Sequence, residues 1–498
     1  MVDATFTFYI DWNNNGSVDS LSIESNENVT TNVLGVRTPL SWKVGRDGIR
    51  SISGFLSGDI EIELDNRTRI YSPDNSSSAL FGNLGPGKPV RIRAASGSTR
   101  DIFRGFIDEY KVNPARGSRS VTITAVDCFA HIADTIINTD LHQGIGTGEA
   151  IGKVLDAVGW PSGKRTIDQG CTTIRHWWLE NATAGEAIRD LLASEGPPAI
   201  CYVDGSNNFV FKDRMHRLVD SNATSTQATF RDTGTEPLFS EPAEYDAGFK
   251  DIINAVSFDV AERSAVAPES IWSSEEVITV PSSSSVQIIA QADEPFSNAS
   301  TPSESRGDYE VLKGSVSSVS LSRTSGQSTV ITITAGSSGA TLQNLRVRGI
   351  SYPVALNYRV TVTDSASIAK YGMNSWTEDI PRWAGKNDAE AIAQLIVAIK
   401  KERLPTFSFT LWNENSTRLA QILDRSISDL VTIVEAETST NHSHYIESIE
   451  YNVEETGKFH SAEISCERMP SWDPNAGNIF IIGSSVSGHR LNSGRLGY

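Results

Sequence analysis

The chain has 498 residues and a formal net charge of −18 at pH 7. This acidic balance argues against a protein that binds nucleic acid tightly, because such affinity comes largely from lysine and arginine side chains on phosphates. Hydrophobic residues make up 39% of the chain, which excludes general disorder, and at about 100–200 residues per domain the length predicts three or four domains.

The cysteines and the apolar runs indicate where the protein folds. The cysteines form no C-x-x-C pair and no zinc-type cluster, so we expect free buried thiols at Cys128, Cys171, Cys201 and Cys466. No basic stretch with an apolar run follows Met1, so no signal peptide is predicted. Runs such as IAQLIVAI are far below the roughly 20 residues of a membrane span. These features predict folding in a reducing cytosol.

Residues 1–130 are predicted to form a first β domain. Apolar and polar residues alternate in ATFTFYI, KPVRIRAAS and RSVTITAVD, and in DIEIELDN the alternation puts Ile60, Ile62 and Leu64 on one face. The turn sequences SPDNSSS, GPGK and NPARG separate these segments. Several short strands at this spacing predict a barrel or a sandwich.

The loop after the first predicted strand has the spacing of a calcium-binding loop. Asp11, Asn13, Asn15, Gly16 and Asp19 form the pattern D-x-N-x-N-G-x-x-D. The side chains of Asp11, Asn13 and Asn15 are the candidate Ca²⁺ ligands. Asp19 would act directly or through a water molecule, and Gly16 permits the sharp turn.

This loop also departs from an EF-hand. Ser22 occupies the twelfth position, where an EF-hand has a bidentate acid, so Glu24 or a more distant acid such as Glu27 would have to replace it. The flanking segments are predicted strands and not helices. The alternative is a polar hairpin turn, for which Asn-Gly alone is sufficient. A bound calcium ion would stiffen a surface loop and would not be catalytic.

Residues 131–232 are predicted to form a small α+β domain. TGEAIGKVLDAVGW carries an apolar stripe of helical period, and NATAGEAIRDLLASEG begins with a capping box of Thr183 and Glu186. Gly196 ends this second helix, and the Pro-Pro pair after it prevents continuation. AICYVDGSNNFVFKDR then predicts two strands joined by a turn at its Asp-Gly pair.

A second β domain is predicted from residues 233–261 and 349–470, with residues 262–348 inserted into it. The inserted stretch alternates Ser and Thr with Val and Ile, which is typical of a solvated two-layer β module. Residues 471–498 form a Gly/Ser-rich C-terminal tail, either loose or ordered only against a partner. The expected class is a mainly β, multi-domain protein with α+β parts.

One long helix is predicted inside the second β domain. NDAEAIAQLIVAIKKERLP has an apolar stripe, with Asn387 as the N-cap and Glu390 completing a capping box, and Pro405 ends the helix. TFSFTLW, DLVTIVEAE, SHYIESIEYNVEE and KFHSAEISCERM are predicted strands.

Two further groups of residues are weighed as binding sites. His442 and His444 share one side of a predicted strand and His460 is on the next strand, so three imidazoles could bind zinc or iron. No acid completes a recognisable pattern, and exposed or core histidines are far commoner. For Trp177 and Trp178, packing in the core or at a subunit interface is favoured over sugar stacking.

The sequence carries no catalytic motif: no G-x-S-x-G, no H-E-x-x-H and no Gly-rich loop ending in Lys-Ser/Thr. Abundant carboxylates leave a paired-acid glycosidase site open. Solvated strand faces and turns already explain acidic segments such as DIEIEL and EDIPRW, so we expect a non-enzymatic protein.

The order of the segments resembles that of a known family. IDWNNNGSVDS and ENVTTNVL open the chain, and DIFRGFIDEYKVNPARGSRSVTITAVDCFAHIAD lies in the first barrel. CYVDGSNNFVFKDR, DIINAVSFDV, DSASIAKYG, the capped helix and SHYIESIEYNVEE follow in that order. Together they resemble the minor tail or tail-tip hub proteins of long-tailed, siphovirus-like bacteriophages, particularly of Gram-positive, actinobacterial hosts. A more distant likeness is to the hubs of contractile tails and type VI secretion spikes. The resemblance covers about residues 1–470.

This resemblance implies two hub-type β-barrels, a small α+β domain and an inserted β-sandwich-like module. It implies a homotrimer, in which two barrels per chain match the hexameric tail tube. The implied role is that of a structural virion protein, a baseplate-like hub assembled in the host cytoplasm, which closes the tail tube and opens for genome passage into the host cell. The implied partners are tail tube and distal tail proteins, the tape measure protein, and receptor-binding or distal tip proteins. Genome DNA passes the lumen without specific binding, which an acidic lumen would favour.

Two functions of other classes stay open. A host-attachment or carbohydrate-binding tail protein would use the inserted module and the tryptophans, and predicts binding to host wall glycan. A calcium-dependent wall hydrolase predicts activity in a zymogram. The hub interpretation predicts neither glycan binding nor zymogram activity. It predicts a trimer that forms a ring.

Overall fold

The computed structural model describes residues 2–16, 26–34, 40–46, 58–115, 117, 119–248, 252–378, 382–454 and 458–470, and the backbone of 479–480 and 495–496. In this part of the chain strands outnumber helices and form several separate sheets. This confirms a mainly β, multi-domain protein with α+β parts. The four cysteines are free, and all except Cys171 are buried.

The N-terminal unit is built on an antiparallel sheet. Its strands are β1 (Thr5–Ile10), β2 (Leu40–Gly45), β3 (Asp59–Asp65), β4 (Pro89–Ser96), β5 (Ser98–Asn113) and β6 (Ser120–Asp127). Five of them pair in the order β1-β4-β5-β6-β3, while β2 joins a different sheet. Ile60, Ile62 and Leu64 on β3 are buried on one face, as a period of two predicts.

A short segment connects the two edges of this sheet. Val29 donates its backbone N–H to the carbonyl oxygen of Phe8 on β1 (3.0 Å), and Leu34 donates to the carbonyl oxygen of Glu63 on β3 (2.7 Å). Residues 26–34 therefore contact both edge strands, and the five strands with this segment form a barrel-like wall around an apolar core.

The α+β unit follows directly. Its elements are α1 (Cys128–Ala133), β7 (Ile136–His142), β8 (Ile145–Gly146), α2 (Thr147–Ala157), β9 (Arg165–Ile167), β10 (Thr173–Ile174), β11 (Trp177–Thr183), α3 (Ala184–Glu195), β12 (Ile200–Val203), β13 (Phe209–Lys212), α4 (His216–Val219) and α5 (Ser221–Thr224). The predicted hairpin is present as β12 and β13. Thr183 and Glu186 form the predicted capping box at the start of α3, and the helix ends at Gly196.

The rest of the chain forms a second β unit with a module inserted into it. The first strands are β14 (Ala228–Arg231), β15 (Glu244–Asp246) and β16 (Ala255–Arg263). The inserted module contains β17 (Glu269–Ser274), β18 (Ile278–Val280), β19 (Ser285–Gln291), β20 (Phe296–Ser300), β21 (Glu310–Arg323), β22 (Ser328–Gln343) and β23 (Leu345–Ser351). The second unit resumes with β24 (Val354–Thr363), α6 (Ser365–Tyr371), β25 (Ser375–Glu378), α7 (Lys386–Lys400), β26 (Thr406–Trp412), α8 (Ser416–Asp424), β27 (Leu430–Glu435), β28 (Thr440–Glu454) and β29 (Phe459–Arg468).

The main sheet of the second unit includes a strand from the N-terminal unit. Its order is β14-β27-β28-β29-β26-β15, and β2 pairs with β28 beside this path. Strand β28 has 15 residues and is long enough for two partners on the same edge. Its first half pairs with β27 and its second half pairs with β2. Strand β2 therefore connects the two units through backbone hydrogen bonds.

Helix α7 begins earlier than the sequence predicts. It packs against the smaller sheet β24-β16-β25. Its N-cap is Gly385, so the prediction of an Asn387 cap with a Glu390 capping box is wrong. The physical reason is that the carbonyl oxygen of the extended residue Gly385 already accepts the N–H of Ala389 (2.9 Å), so helical hydrogen bonding begins two residues before Asn387.

The inserted module has two β layers, in agreement with the predicted β-sandwich-like module. One sheet has the order β17-β23-β20, and the other consists of β18, β22 and β19 with β21 along β22. Ile331, Ile333, Leu342 and Val347 belong to its apolar core. In the predicted C-terminal tail only the short parallel strands β30 (Ile479–Phe480) and β31 (Arg495–Leu496) are described, and the rest of the tail lies outside the described residues.

Candidate functional site

The strongest candidate site is the junction of the three large units. The pairing of β2 with β28 places Trp42 opposite Tyr451, and the two rings stack with centroids 4.8 Å apart. At the end of β2 the backbone of Gly45 lies so close to β28 that a Cβ atom there would be 2.3 Å from the carbonyl oxygen of Glu447. This contact brings the next residue, Arg46, beside the Glu447 side chain.

Arg46, Arg217 and Glu447 form a buried group that we call the junction cluster. Nε of Arg46 lies 2.8 Å from Oε2 of Glu447, and Nη2 of Arg217 lies 2.7 Å from Oε1. The exposed fractions of the three side chains are 1%, 9% and 0%. Arg46 also donates hydrogen bonds to the carbonyl oxygens of Pro198 (2.5 Å) and Ala199 (3.2 Å). One carboxylate thus connects the N-terminal unit, the α+β unit and the second β unit.

The charges of the junction cluster explain why it needs all three members. Burial lowers the pKa of the Arg46 guanidinium, the Glu447 carboxylate opposes this shift, and the nearby Arg217 adds to it. Removing water from a charge is costly unless an opposite charge and hydrogen bonds replace it. Glu447 supplies that charge to two cations at once. Arg217 gains a further partner, since its Cζ lies 4.3 Å from the ring centroid of Tyr445.

Besides the junction cluster, the second β unit contains a buried ion pair between Lys400 and Glu467. Lys400, at the end of α7, donates a hydrogen bond to the carboxylate of Glu467 on β29. Their side chains are 2% and 3% exposed. A cation in the last turn of a helix is favoured by the helix dipole. The pair therefore connects α7 to the main sheet of the second unit.

A cavity of about 200 Å³ opens beside the junction cluster. Residues of all three units form its wall, among them Trp42, Asp127, Tyr202, Arg425 and His460. The ring of His460 is buried between Phe6 (centroids 5.2 Å apart) and Tyr451 (6.2 Å).

His460 makes a pH-dependent contribution to stability. Burial lowers the pKa of His460 to about 3, below the roughly 6.5 of an unfolded histidine. Unfolding therefore takes up a proton at pH values between about 3 and 6.5, and stability falls as the pH falls through this window. We expect wild type to lose about 1.4 kcal/mol per pH unit relative to H460F below about pH 6.

Denaturant unfolding of wild type and H460F at a series of pH values checks this expectation. The difference between the two proteins should stay constant from pH 7 to 8, where the histidine is neutral in both states. A difference that does not change between pH 6 and 4.5 would contradict the buried, neutral state of His460.

Part of the predicted calcium loop lies within the described residues. The buried carboxylate of Asp11 accepts the backbone N–H of Asn15 at 3.1 Å and that of Gly16 at 2.8 Å. Asn13 Oδ1 also accepts from the Asn15 N–H at 3.1 Å. Asp11 thus organises the loop, and each of its oxygens retains a lone pair for another partner. Asp19 lies outside the described residues.

The three histidines weighed as a metal site do not come together. His444 pairs with Arg468 and His460 pairs with Val453, so they lie at opposite ends of the β28–β29 ladder. His442 is exposed and His444 is buried. The neighbouring strands place these imidazoles in different environments, and burial lowers the pKa of His444 to about 4.

The two tryptophans are packed, as the favoured prediction states. Trp177 is 0% exposed and Trp178 is 9% exposed. The indole N–H of Trp178 donates to Oε1 of Gln327 in the inserted module at 2.9 Å. Gly326 lies against the same ring and donates its N–H to the carbonyl oxygen of Thr139 at 2.8 Å. A turn of the inserted module therefore docks on the α+β unit.

Gly326→Ala is expected to loosen this docking. A Cβ atom at residue 326 would lie 2.4 Å from Cβ of Trp178, which forces one of the two segments to move. Overpacking of this kind costs about 1–3 kcal/mol. Hydrogen exchange of residues 324–328 should become faster in G326A. G163A is the matched control, because nothing lies within 4 Å of its added Cβ, and equal exchange in wild type and G326A would contradict the contact.

One group of side chains was not predicted from the sequence. The ligand-type atoms of Cys171, Glu195 and Asp213 lie within 4.8 Å of one another. The Glu195 carboxylate, however, accepts hydrogen bonds from the N–H groups of Cys171 (2.9 Å) and Thr172 (3.1 Å) and from the Thr147 hydroxyl (2.7 Å). Burial raises the pKa of the Cys171 thiol, which keeps it protonated. These contacts make the group a brace between α3 and its neighbours.

The junction cluster was also missed by sequence reasoning. Its members are up to 401 residues apart and form no spaced motif. The only trace is a charged residue, Glu447, among the apolar residues Ile446 and Ile449 of a predicted strand. In the described part of the chain, no helix has the length and apolar character to cross a membrane.

Comparisons with solved structures find tail proteins and a component of a type VI secretion system. No family model matches the sequence, and no curated protein matches it. The fold is similar to the 43 kDa tail protein of prophage MuSo2 from Shewanella oneidensis, with 12% identity, 93% of this chain and 98% of that chain covered, and a TM-score of 0.47. It is similar to a tail protein of Neisseria meningitidis, with 9% identity, 94% and 96% coverage and a TM-score of 0.49.

A third similar structure is an Escherichia coli component of the type VI secretion system, described as similar to T4 phage tail proteins, with 6% identity, 89% and 76% coverage and a TM-score of 0.37.

Proposed function

We propose that this chain is a structural, non-enzymatic protein of a phage tail and serves as the hub at the tail tip. The observation that carries the proposal is the junction cluster, in which buried charges hold three units against one another. A hub that transmits force between the tube and the distal tip needs fixed connections between its units. The order of sequence segments that resembles tail-tip hubs supports the same role.

The proposal includes the assembly. A homotrimer would place two β units per chain around the tail axis, where they meet the tail tube and distal tail proteins. Receptor-binding or distal tip proteins would attach below, and the tape measure protein would occupy the channel. The hub would close the tube before infection and open for genome passage. The net charge of −18 favours passage of DNA without specific binding.

Electron cryomicroscopy of the virion that contains this chain tests the proposal. The expected result is three copies around the tail axis, in contact with the tube end. One copy, or copies on peripheral fibres without contact to the tube, would overturn it.

We also propose that the loop from Asp11 to Asp19 binds calcium, which would stiffen the surface of the N-terminal unit. The arrangement of Asp11, Asn13 and Asn15 around one turn supports this proposal. Calcium should raise the midpoint of thermal unfolding of wild type and leave the variant N13A/D19N unchanged. Magnesium at equal ionic strength is the control. An equal response of wild type and variant to calcium would contradict the site.

A further inference from the structure

The loop after β1 contains the only Asn-Gly pair of the sequence, Asn15 and Gly16. Both residues are exposed, and no atom of the described residues lies within 4 Å of the point that a Cβ atom of Gly16 would occupy. Glycine has no side chain to hinder the approach of its own backbone nitrogen to a neighbouring group. The nitrogen of Gly16 can therefore reach the carboxamide of Asn15, the residue before it.

The carboxylate of Asp11 contacts the backbone on both sides of Asn15. Its Oδ1 accepts the N–H of Asn15 at 3.1 Å, and its Oδ2 accepts the N–H of Gly16 at 2.8 Å. Asp11 is 1% exposed. A general base must lie about 2.6–3.2 Å from the atom whose proton it takes. Asp11 meets this condition for the nitrogen of Gly16.

The reaction that this arrangement favours needs no contact between distant segments. A bond from the Gly16 nitrogen to Cγ of Asn15 closes a five-membered ring, and its other members are Cβ, Cα and the carbonyl carbon of Asn15. Reactions between groups that are already held together gain a large rate advantage. A backbone N–H is a very weak acid, so a base for its proton is the element that an ordinary Asn-Gly pair lacks. Asp11 supplies this base.

We propose that Asn15 is a modification site that deamidates spontaneously, with Asp11 as the general base. Oδ2 of Asp11 takes the N–H proton of Gly16 while the Gly16 nitrogen attacks Cγ of Asn15 and forms the new bond. The bond from Cγ to the side-chain nitrogen then breaks, and ammonia leaves with the proton that Asp11 held. The products of this step are a cyclic succinimide, ammonia and the regenerated carboxylate.

One water molecule completes the reaction. It opens the ring at Cγ to give aspartate, or at the backbone carbonyl carbon to give isoaspartate, at residue 15. The exposed loop thus gains one negative charge at a candidate calcium ligand. The affinity of calcium loops depends on the number of charged ligands. This consequence for calcium rests on the proposed calcium site, whereas the deamidation itself does not depend on it.

Peptide mass spectrometry of the full chain, incubated in calcium-free buffer, tests the reaction. The acid should appear at residue 15, while Asn13 and Asn14 in the same loop should stay unchanged because no glycine follows them. D11N should react at least about tenfold more slowly than wild type. D74N is the matched control, because it removes the same charge from an exposed residue of another loop in the N-terminal unit, and it should react like wild type.

The pH dependence of the rate separates catalysis by Asp11 from a structural role. A carboxylate that stays ionised between pH 6 and 8 gives a nearly constant rate, whereas proton removal by solvent hydroxide becomes about tenfold faster per pH unit. Wild type should show the constant rate. D11N, and wild type unfolded in guanidinium chloride, should show the steep rise. At pH 6 the folded chain should therefore react faster than the unfolded chain.

Three results would overturn the proposal. These are the absence of acid at residue 15, equal rates in wild type and D11N, and a faster reaction in the unfolded chain than in the folded chain at pH 6. The consequence for calcium is measured separately with N15D, in which calcium should raise the midpoint of thermal unfolding more than in wild type. If neither protein responded to calcium, the calcium site would be wrong, and the mass spectra would still decide the deamidation.

Discussion

Glu447→Gln is expected to lower the free energy of unfolding by about 3–5 kcal/mol. Glutamine has almost the same shape, so the change removes the negative charge and leaves the packing. Arg46 and Arg217 would then remain buried beside each other without the carboxylate that neutralises them. The cost is therefore the penalty of two uncompensated cations, and not the loss of one hydrogen bond.

Equilibrium unfolding in urea, followed by circular dichroism, measures this effect. D259N is the control, because Asp259 makes an equally short bidentate pair with Arg359 (2.8 and 2.7 Å) on the exposed surface. Screened surface pairs contribute little, so D259N should unfold like wild type. If E447Q and D259N had the same small effect, water would reach the junction cluster, and its role as the connection between the units would be wrong.

Gly45→Ala is expected to be strongly destabilising, because it combines backbone strain with a close approach between two strands. Gly45 has φ of +114°, a region that costs other residues about 1–3 kcal/mol. The added Cβ would lie 2.3 Å from the carbonyl oxygen of Glu447 and 2.8 Å from Cα of Ser448. Overpacking against backbone adds about another 1–3 kcal/mol. We expect β2 to separate from β28.

Hydrogen exchange of residues 40–46 is the direct measurement for G45A, together with its unfolding midpoint. G372A is the control that isolates backbone strain, because Gly372 has φ of +81° and nothing within 4 Å of its added Cβ. G45A should exceed G372A in lost stability, and only G45A should expose β2. Similar losses of stability in G45A and G372A would contradict a contribution from the close approach of β2 and β28.

Local chemistry explains what could be predicted from the sequence. The capping box of Thr183 and Glu186, the stop at Gly196 and the β12–β13 hairpin depend on residues within a few positions of one another. The alternation of apolar and polar residues in β3 likewise predicts which face of the strand is buried. The inserted module was visible because Ser and Thr alternate with apolar residues over a long stretch.

What could not be predicted depends on contacts between distant segments. The N-cap of α7 is Gly385 and not Asn387, since helical hydrogen bonding begins with the bond from the Ala389 N–H to the Gly385 carbonyl oxygen, although Asn387 is the better capping residue by type. The junction cluster has no local signature, because Arg46 and Glu447 meet only once β2 has joined the second sheet. The predicted domain boundary at residue 130 follows the change from a strand period to a helical period, and this change carries no sign that β2 pairs with a strand near the other end of the chain.

Because β2 pairs with a strand of the second unit, its pairing can form only late in synthesis. Strand β2 pairs with residues 448–453 of β28, some four hundred positions later in the chain. While the ribosome is still making the middle of the protein, β2 has no partner and its edge is open. Contacts at such long sequence separation form slowly. Chains that stop before β28 would retain β2 as an unpaired strand, and such exposed edges are recognised by chaperones and proteases. The pairing that joins the finished units therefore also distinguishes complete chains from incomplete ones.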